Sequence, residues 1–349
     1  MKRKIGFAIF TSYLIIGIIT FMNDSPSNEI SNQEEIIQVN QQLNSSVEVE
    51  KREITLNGLD SFIGKPSEVI EREFGKPIRV DKSIYDYDWW IYNQDPSQYI
   101  QIGVENNIVT TIYAIGEELN TEPFIIGQPI DEIINTFSLE QLISFTANNN
   151  NYRFELSEQD LEIRPLVKVN DVYIQLYFDR YSNKLSSIRY MDANTLIKQR
   201  PYELVYRGDL LSSEELSIEE LALVEQGVAK QILDLTNIIR NQHNLPAVQW
   251  NEEAAIVAHK HSKEMYDENY FSHTSPLSGG LPERLKEGNV YYFSAGENIA
   301  AKYIDGIAVM VGWLNSKSHR ETLLNENFTN LGVGVYKKYY TQNFIESWE

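Results

Sequence analysis

VGWLNSKSHRETLLNENFTNLGVGVY, residues 311–336, sets the architecture of the last third of this chain. It closes a helix that apolar spacing starts near Ile304 and ends near Asn315, turns, presents His319, and enters GVGVYKKYYTQNFIES as two strands. Upstream, Ser217-Ile218-Glu219-Glu220 reads as a capping box. The helix it opens runs to about Gln242, with Leu221, Val224, Val228, Ile232, Leu235 and Ile239 at helical spacing. Asn251 caps a second helix through Ala254, Ala258, Ser262 and Met265, and LPERLKEG is a third. Several helices and a small antiparallel sheet make residues 216–349 an α+β domain.

Two polar segments lie within the same region, FSHTSP (271–276) and SAGENIA (294–300). With His319 they bring two histidines and Glu297 into three short segments that only the fold can join. Imidazole titrates or ligates metals near neutral pH, and a carboxylate between apolar segments needs a partner such as His273. On residue type alone, a joint His273/Glu297/His319 site and three separately hydrogen-bonded side chains are equal alternatives. His243 sits at a helix end, and His259 and His261, two apart on a helix, face different sides as surface or packing residues. Serine nucleophiles at Ser272, Ser275 or Ser294 lack a G-x-S-x-G elbow.

The order of LTNIIR, LPAVQWNEEAA, HSKEMYDENYFSHTSP, SAGENIA, the 311–336 segment and TQNF, from about Leu233 to Glu346, resembles bacterial CAP domains (cysteine-rich secretory proteins, antigen 5, pathogenesis-related 1). The resemblance implies an α-β-α sandwich with a cleft lined by His-Glu-Glu-His in the eukaryotic members. His273 matches the first histidine, Glu297 the glutamate of GEN, and His319 the later histidine. The second glutamate has no counterpart: three residues after Trp313 stands Ser316, and the FTH of many bacterial relatives is FTN here, ending at Asn330.

Residues 56–192 read as a duplicated unit. Ile63-Gly64-Lys65-Pro66 opens one copy and Ile126-Gly127-Gln128-Pro129 the other, each followed by a short amphipathic helix and alternating strands. Each copy is a helix followed by an antiparallel sheet, too small to stand alone. The paired IGxP openings resemble the CAP-associated N-terminal domain of exported Gram-positive proteins. No histidine lies in this part, and Trp89, Trp90 and the tyrosines are expected as sheet core. Residues 193–215 read as a linker.

At the N-terminus Lys2, Arg3 and Lys4 precede an apolar run, residues 5–22. Its 18 residues reach about 27 Å, close to a bilayer's hydrocarbon thickness. Cytoplasmic basic residues place the rest outside the cell, and bulky Thr20-Phe21-Met22 favours an uncleaved anchor over a cleaved signal and secretion. Residues 23–55, rich in Asn, Gln, Ser and Glu, read as a disordered spacer.

A net charge of −20 argues against nucleic acid, and the absence of cysteine excludes disulfides, thiol catalysis and zinc–cysteine sites. The expectation is an exported, membrane-anchored binding module whose His/Glu cleft takes an extracellular peptide, lipid or cell-wall ligand, with Zn2+ or another divalent metal held by His273 and His319. The alternative is a zinc-dependent peptidase or esterase using His273, His319 and Glu297.

Overall fold

The computed structural model describes residues 58–347. The apolar run at 5–22 and the spacer at 23–55 lie outside the described residues. Among the described residues no helix is long and apolar enough to cross a membrane. The described residues form one compact unit.

The duplication is visible bond for bond. Gly64 and Gly127 take positive φ, 78° and 89°, where a side chain would be strained. Gly64 N–H donates to Val109 at 2.8 Å, and Val109 N–H returns a bond to Lys65 at 2.9 Å. Gly127 and Leu185 repeat the pattern at 2.8 Å, with Leu185 N–H to Gln128 at 2.9 Å. Helices α1 (Ser67–Phe74) and α2 (Ile130–Thr136) follow, with Pro66 and Pro129 at their N-caps, one position before the first helical turn.

The strands of the first copy are β1 (Arg79–Lys82), β2 (Asp88–Tyr92), β3 (Tyr99–Glu105) and β4 (Ile108–Ile115). The second copy continues with β5 (Leu142–Ala147), β6 (Asn150–Glu155), α3 (Glu158–Ile163), β7 (Leu166–Val169), β8 (Val172–Asp179) and β9 (Lys184–Met191). Strands from both copies join in one seven-stranded sheet, β1-β2-β3-β4-β9-β8-β7, while β5 and β6 pair in a separate small sheet. Its centre is the antiparallel pair β4–β9, from Thr111 opposite Met191 to Ala114 opposite Ile188. Asn106 and Asn107, at φ 51° and 64°, make the tight β3–β4 turn.

The stretch read as a linker carries structure. Asp192 accepts from Thr195 N–H at 2.7 Å to cap α4 (Ala193–Gln199), and β10 (Glu203–Arg207) pairs with β6. Both elements are short, so their period is weak in sequence; tertiary pairing forms them. Beyond β10, the chain is irregular through 208–217.

The C-terminal module consists of α5 (Ile218–Gln242), β11 (Gln249–Trp250), α6 (Glu252–Asp267), α7 (Leu281–Glu287), β12 (Ser294–Ala301), α8 (Gly306–Leu314), α9 (Lys317–Leu323), β13 (Asn330–Tyr336) and β14 (Tyr339–Glu346). Its sheet order is β11-β13-β14-β12, antiparallel except for β11 beside β13. Alternation along β13 separates two faces. Leu331, Val333 and Val335 pack with α5 and α8, whereas Gly332 and Gly334 lie against the backbone of α6. The module is therefore three layers, helix on sheet on helix.

The two modules share a core. Tyr87, in the β1–β2 connection, and Trp89, Tyr99, Tyr113 and Tyr177 from the seven-stranded sheet join Val224, Val228, Ile232 and Ile307 in one buried cluster. Trp89 is thus core, as its setting in the alternating strands implies, while Trp90 is half-buried on the opposite face. A Cβ on Gly227 would sit 2.8 Å from Asp81 Cβ, so α5 crosses β1 at near backbone contact. Arg189, with no exposed surface, pairs with Asp305 at 2.6 Å across the seam, and Arg79 pairs with Asp234 at 2.7 Å.

Candidate functional site

Glu297 lies within β12, where the SAGENIA segment pairs with β14, Glu297 opposite Asn343. The strand buries its carboxylate, 3% exposed, and both oxygens are engaged. Oε1 accepts from His273 Nδ1 at 2.9 Å and Oε2 from Arg284 Nη2 at 2.5 Å. Arg284 stands on α7, 4% exposed, and its Nη1 also donates to the carbonyls of His273 and Gly279 at 2.9 and 2.8 Å. One guanidinium thus neutralises the carboxylate and pins the loop that carries His273. The acceptor on Nδ1 assigns the proton there and leaves Nε2 of the 56% exposed imidazole as the outward acceptor.

His319 comes from the first turn of α9 and hydrogen-bonds neither His273 nor Glu297 among the described residues. Its Nδ1 lies 2.7 Å from Ser316 Oγ, and its carbonyl accepts from Asn298 Nδ2 at 3.1 Å. Ser316, at the position without its glutamate, is therefore the hydroxyl that orients His319. Burial holds the His319 pKa below the ordinary histidine value, and the charge of nearby His273 lowers it further.

The structure adds residues that sequence patterns passed over. Arg284 in LPERLKEG looked like an ordinary charged helix position. His261 is fully buried; its Nε2 donates to the Ser272 carbonyl at 3.1 Å, and burial lowers its pKa. Glu264, one turn on along α6, accepts from Tyr270 at 2.9 Å and Ser278 at 2.7 Å, and also from Ser275. Burial works against its charge, but these hydroxyl bonds prevail and lower its pKa. The i, i+3 spacing of His261 and Glu264 was the available signal. Together they tie the 270–278 loop to α6. No hydroxyl of the three candidate serines bonds a histidine among the described residues: Ser272 Oγ accepts from Thr274 N–H at 3.1 Å, and the Ser275 and Ser294 hydroxyls bond Glu264 and Glu346.

The family model described as the cysteine-rich secretory protein family matches residues 233–346, and the one described as CAP-associated N-terminal matches residues 63–202. An uncharacterized membrane protein of Bacillus subtilis (strain 168), YlbC, is 50% identical over 292 residues, 84% of each chain. The chain belongs to the bacterial CAP superfamily. Its two-module arrangement matches an extracellular protein containing an SCP domain from Bacillus anthracis, at 46% identity and TM-score 0.80, covering 85% of this chain and 99% of that one. It also matches a cysteine-rich secretory protein from Staphylococcus aureus, at 27% identity and TM-score 0.74, covering 84% and 97%.

In this CAP protein the donor set for a metal is thin. Among the described residues no group of three or more His, Cys, Asp or Glu side chains is placed to hold an ion. Catalytic zinc takes three protein ligands, and here two imidazoles stand beside a carboxylate already bound to arginine. The residues do not fit a resident catalytic zinc. His319 lines a cleft of about 810 Å³, together with Ile299, Ala300 and Trp313. Arg180 and Tyr181 of the N-terminal module also line it.

Proposed function

We propose that this CAP protein is an exported surface protein, anchored by residues 5–22, that binds an extracellular ligand in the His319 cleft without transforming it. One observation carries the reading: both oxygens of Glu297 are taken, one by a buried arginine. A hydrolytic base needs a carboxylate free to accept a proton from water. Here the carboxylate instead positions the His273 ring and holds the loop around it. The imidazole of His319, which lines the cleft, remains as a polar group for a ligand. Export is supported by the basic flank before the apolar run and by YlbC, which bears the name of a membrane protein.

Residues 54–349 incubated with chromogenic esters and fluorogenic peptides, with and without zinc, test the non-catalytic reading. Turnover that disappears in His273→Ala and Glu297→Gln would establish the hydrolase instead. Protease added to intact cells tests the orientation: residues 54–349 should be digested from outside, and protection would overturn the anchor.

A further inference from the structure

The cleft at the seam of the two modules carries three cations, Arg180, Lys302 and Lys317, with His319 beside them and no aspartate or glutamate among its lining residues. The chain has 50 Asp and Glu against 30 Lys and Arg, so most of its surface should show the opposite balance. None of the three cations forms an ion pair among the described residues. The adjoining carboxylate, Asp179, is occupied: Arg320 grips it at 2.9 and 3.1 Å, and Tyr181 N–H donates to it at 3.0 Å.

The walls are also built to hold their shape. Arg180 N–H donates to the buried Asn315 Oδ1 at 3.0 Å, and Asn315 Nδ2 donates to the Phe178 carbonyl at 2.9 Å. These bonds fix the tip of the β8–β9 hairpin against the end of α8. Two aromatic rings stay open to solvent there, Tyr181 at 46% and Phe271 at 54%. Arg180 and Arg320 stack near Tyr181, their guanidinium carbons 5.5 and 5.0 Å from the ring centre. Lys302 holds a left-handed backbone, φ 67°, a conformation that asparagine or glycine adopts more readily.

We propose that this cleft binds a ring-bearing anion, a phosphate or carboxylate on an aromatic or sugar body, completed jointly by the two modules; the proposal rests on the binding reading above. Unpaired cations in a walled cleft focus a positive field within an acidic protein and draw an anion to it. Arg180 and Lys317 meet the charge from opposite modules, and Tyr181 and Phe271 pack against the ring. The tandem module thereby supplies Arg180 and Tyr181, without which the C-terminal module offers half a site.

The experiment is calorimetric titration of residues 54–349 with p-nitrophenyl phosphate, p-nitrobenzoate and the neutral p-nitrophenyl glucoside, at low and physiological salt. The expected result is binding of at least one anion and not of the neutral compound, weakened by salt. Preference between the two anions identifies the phosphate or the carboxylate as the natural head. Arg180→Ala and Lys317→Ala, both exposed positions whose loss should leave the melting temperature unchanged, should each weaken binding about tenfold or more. Equal binding of the neutral compound, absence of anion binding, or variants within twofold of the parent would overturn the proposal and leave the non-catalytic reading standing. Release of yellow nitrophenolate from bound phosphate would sink the non-catalytic reading while the anion site survived.

Discussion

Arg284 Nη2 donates to Glu297 Oε2 across 2.5 Å, with both side chains all but removed from solvent. Each charge compensates the other inside the protein, and the other terminal nitrogen of Arg284 donates to loop carbonyls. Breaking such a pair from one side leaves an unpaired buried charge, which is costlier than removing both. Arg284→Met should lower stability by about 3–5 kcal/mol, and Arg284→Met with Glu297→Gln should recover part of that loss. Urea denaturation of the two variants checks it. Equal losses would mean the pair contributes little.

Acid should weaken the fold before the carboxylates titrate. His261 and His319 both have folded-state values below the ordinary 6.5, chiefly through burial. As pH falls, the unfolded chain therefore takes up these protons first. The stability contributed by the neutral imidazoles is present in full above 6.5 and is lost as pH falls through the lower folded values. The melting temperature should hold above about pH 6.5 and decline as pH falls below it. His319→Gln should flatten part of that slope; an unchanged slope in His319→Gln and His261→Gln would contradict the assignment.

The shared core predicts one unfolding transition for both modules. Separate transitions in calorimetry would show that the aromatic cluster does not couple them. Gly227→Ala gives a sharper test because the two contributions differ in sign. Alanine in place of glycine inside a helix stabilises by about 1 kcal/mol, whereas a Cβ forced against Asp81 costs about 1–3 kcal/mol. Net destabilisation is expected, and a stabilised variant would mean that α5 does not press on β1.

Arg189 makes the same argument through charge. It is fully buried at the seam and paired with Asp305 at 2.6 Å. Arg189→Met should cost about 3–5 kcal/mol, read as a drop in urea midpoint with an unchanged slope. A changed slope would point to separated modules.

The sequence made some of this legible and hid the rest for identifiable reasons. The IGxP pair announced the duplication because a positive-φ glycine followed by proline leaves a local mark. The long α5 was readable from its period, and the pairing of Glu297 with His273 from the segments around them. That strands of both copies share one sheet was not, since β4–β9 pairing joins residues far apart in the chain, such as Thr111 and Met191. The SAGENIA segment was not recognisable as a strand, because its glycine and alanines carry little strand propensity. Arg284 stayed hidden because a lone arginine on a short helix reads as solvated; only burial beside Glu297 reveals its role.

The most direct test of the central claim is a calorimetric titration of zinc into residues 54–349, beside the His273→Ala/His319→Ala double variant. With Glu297 committed to Arg284, the account predicts no saturable uptake at micromolar zinc and the same trace for both proteins. Micromolar or tighter binding that the double variant abolishes would contradict it and return the site to metal-dependent chemistry.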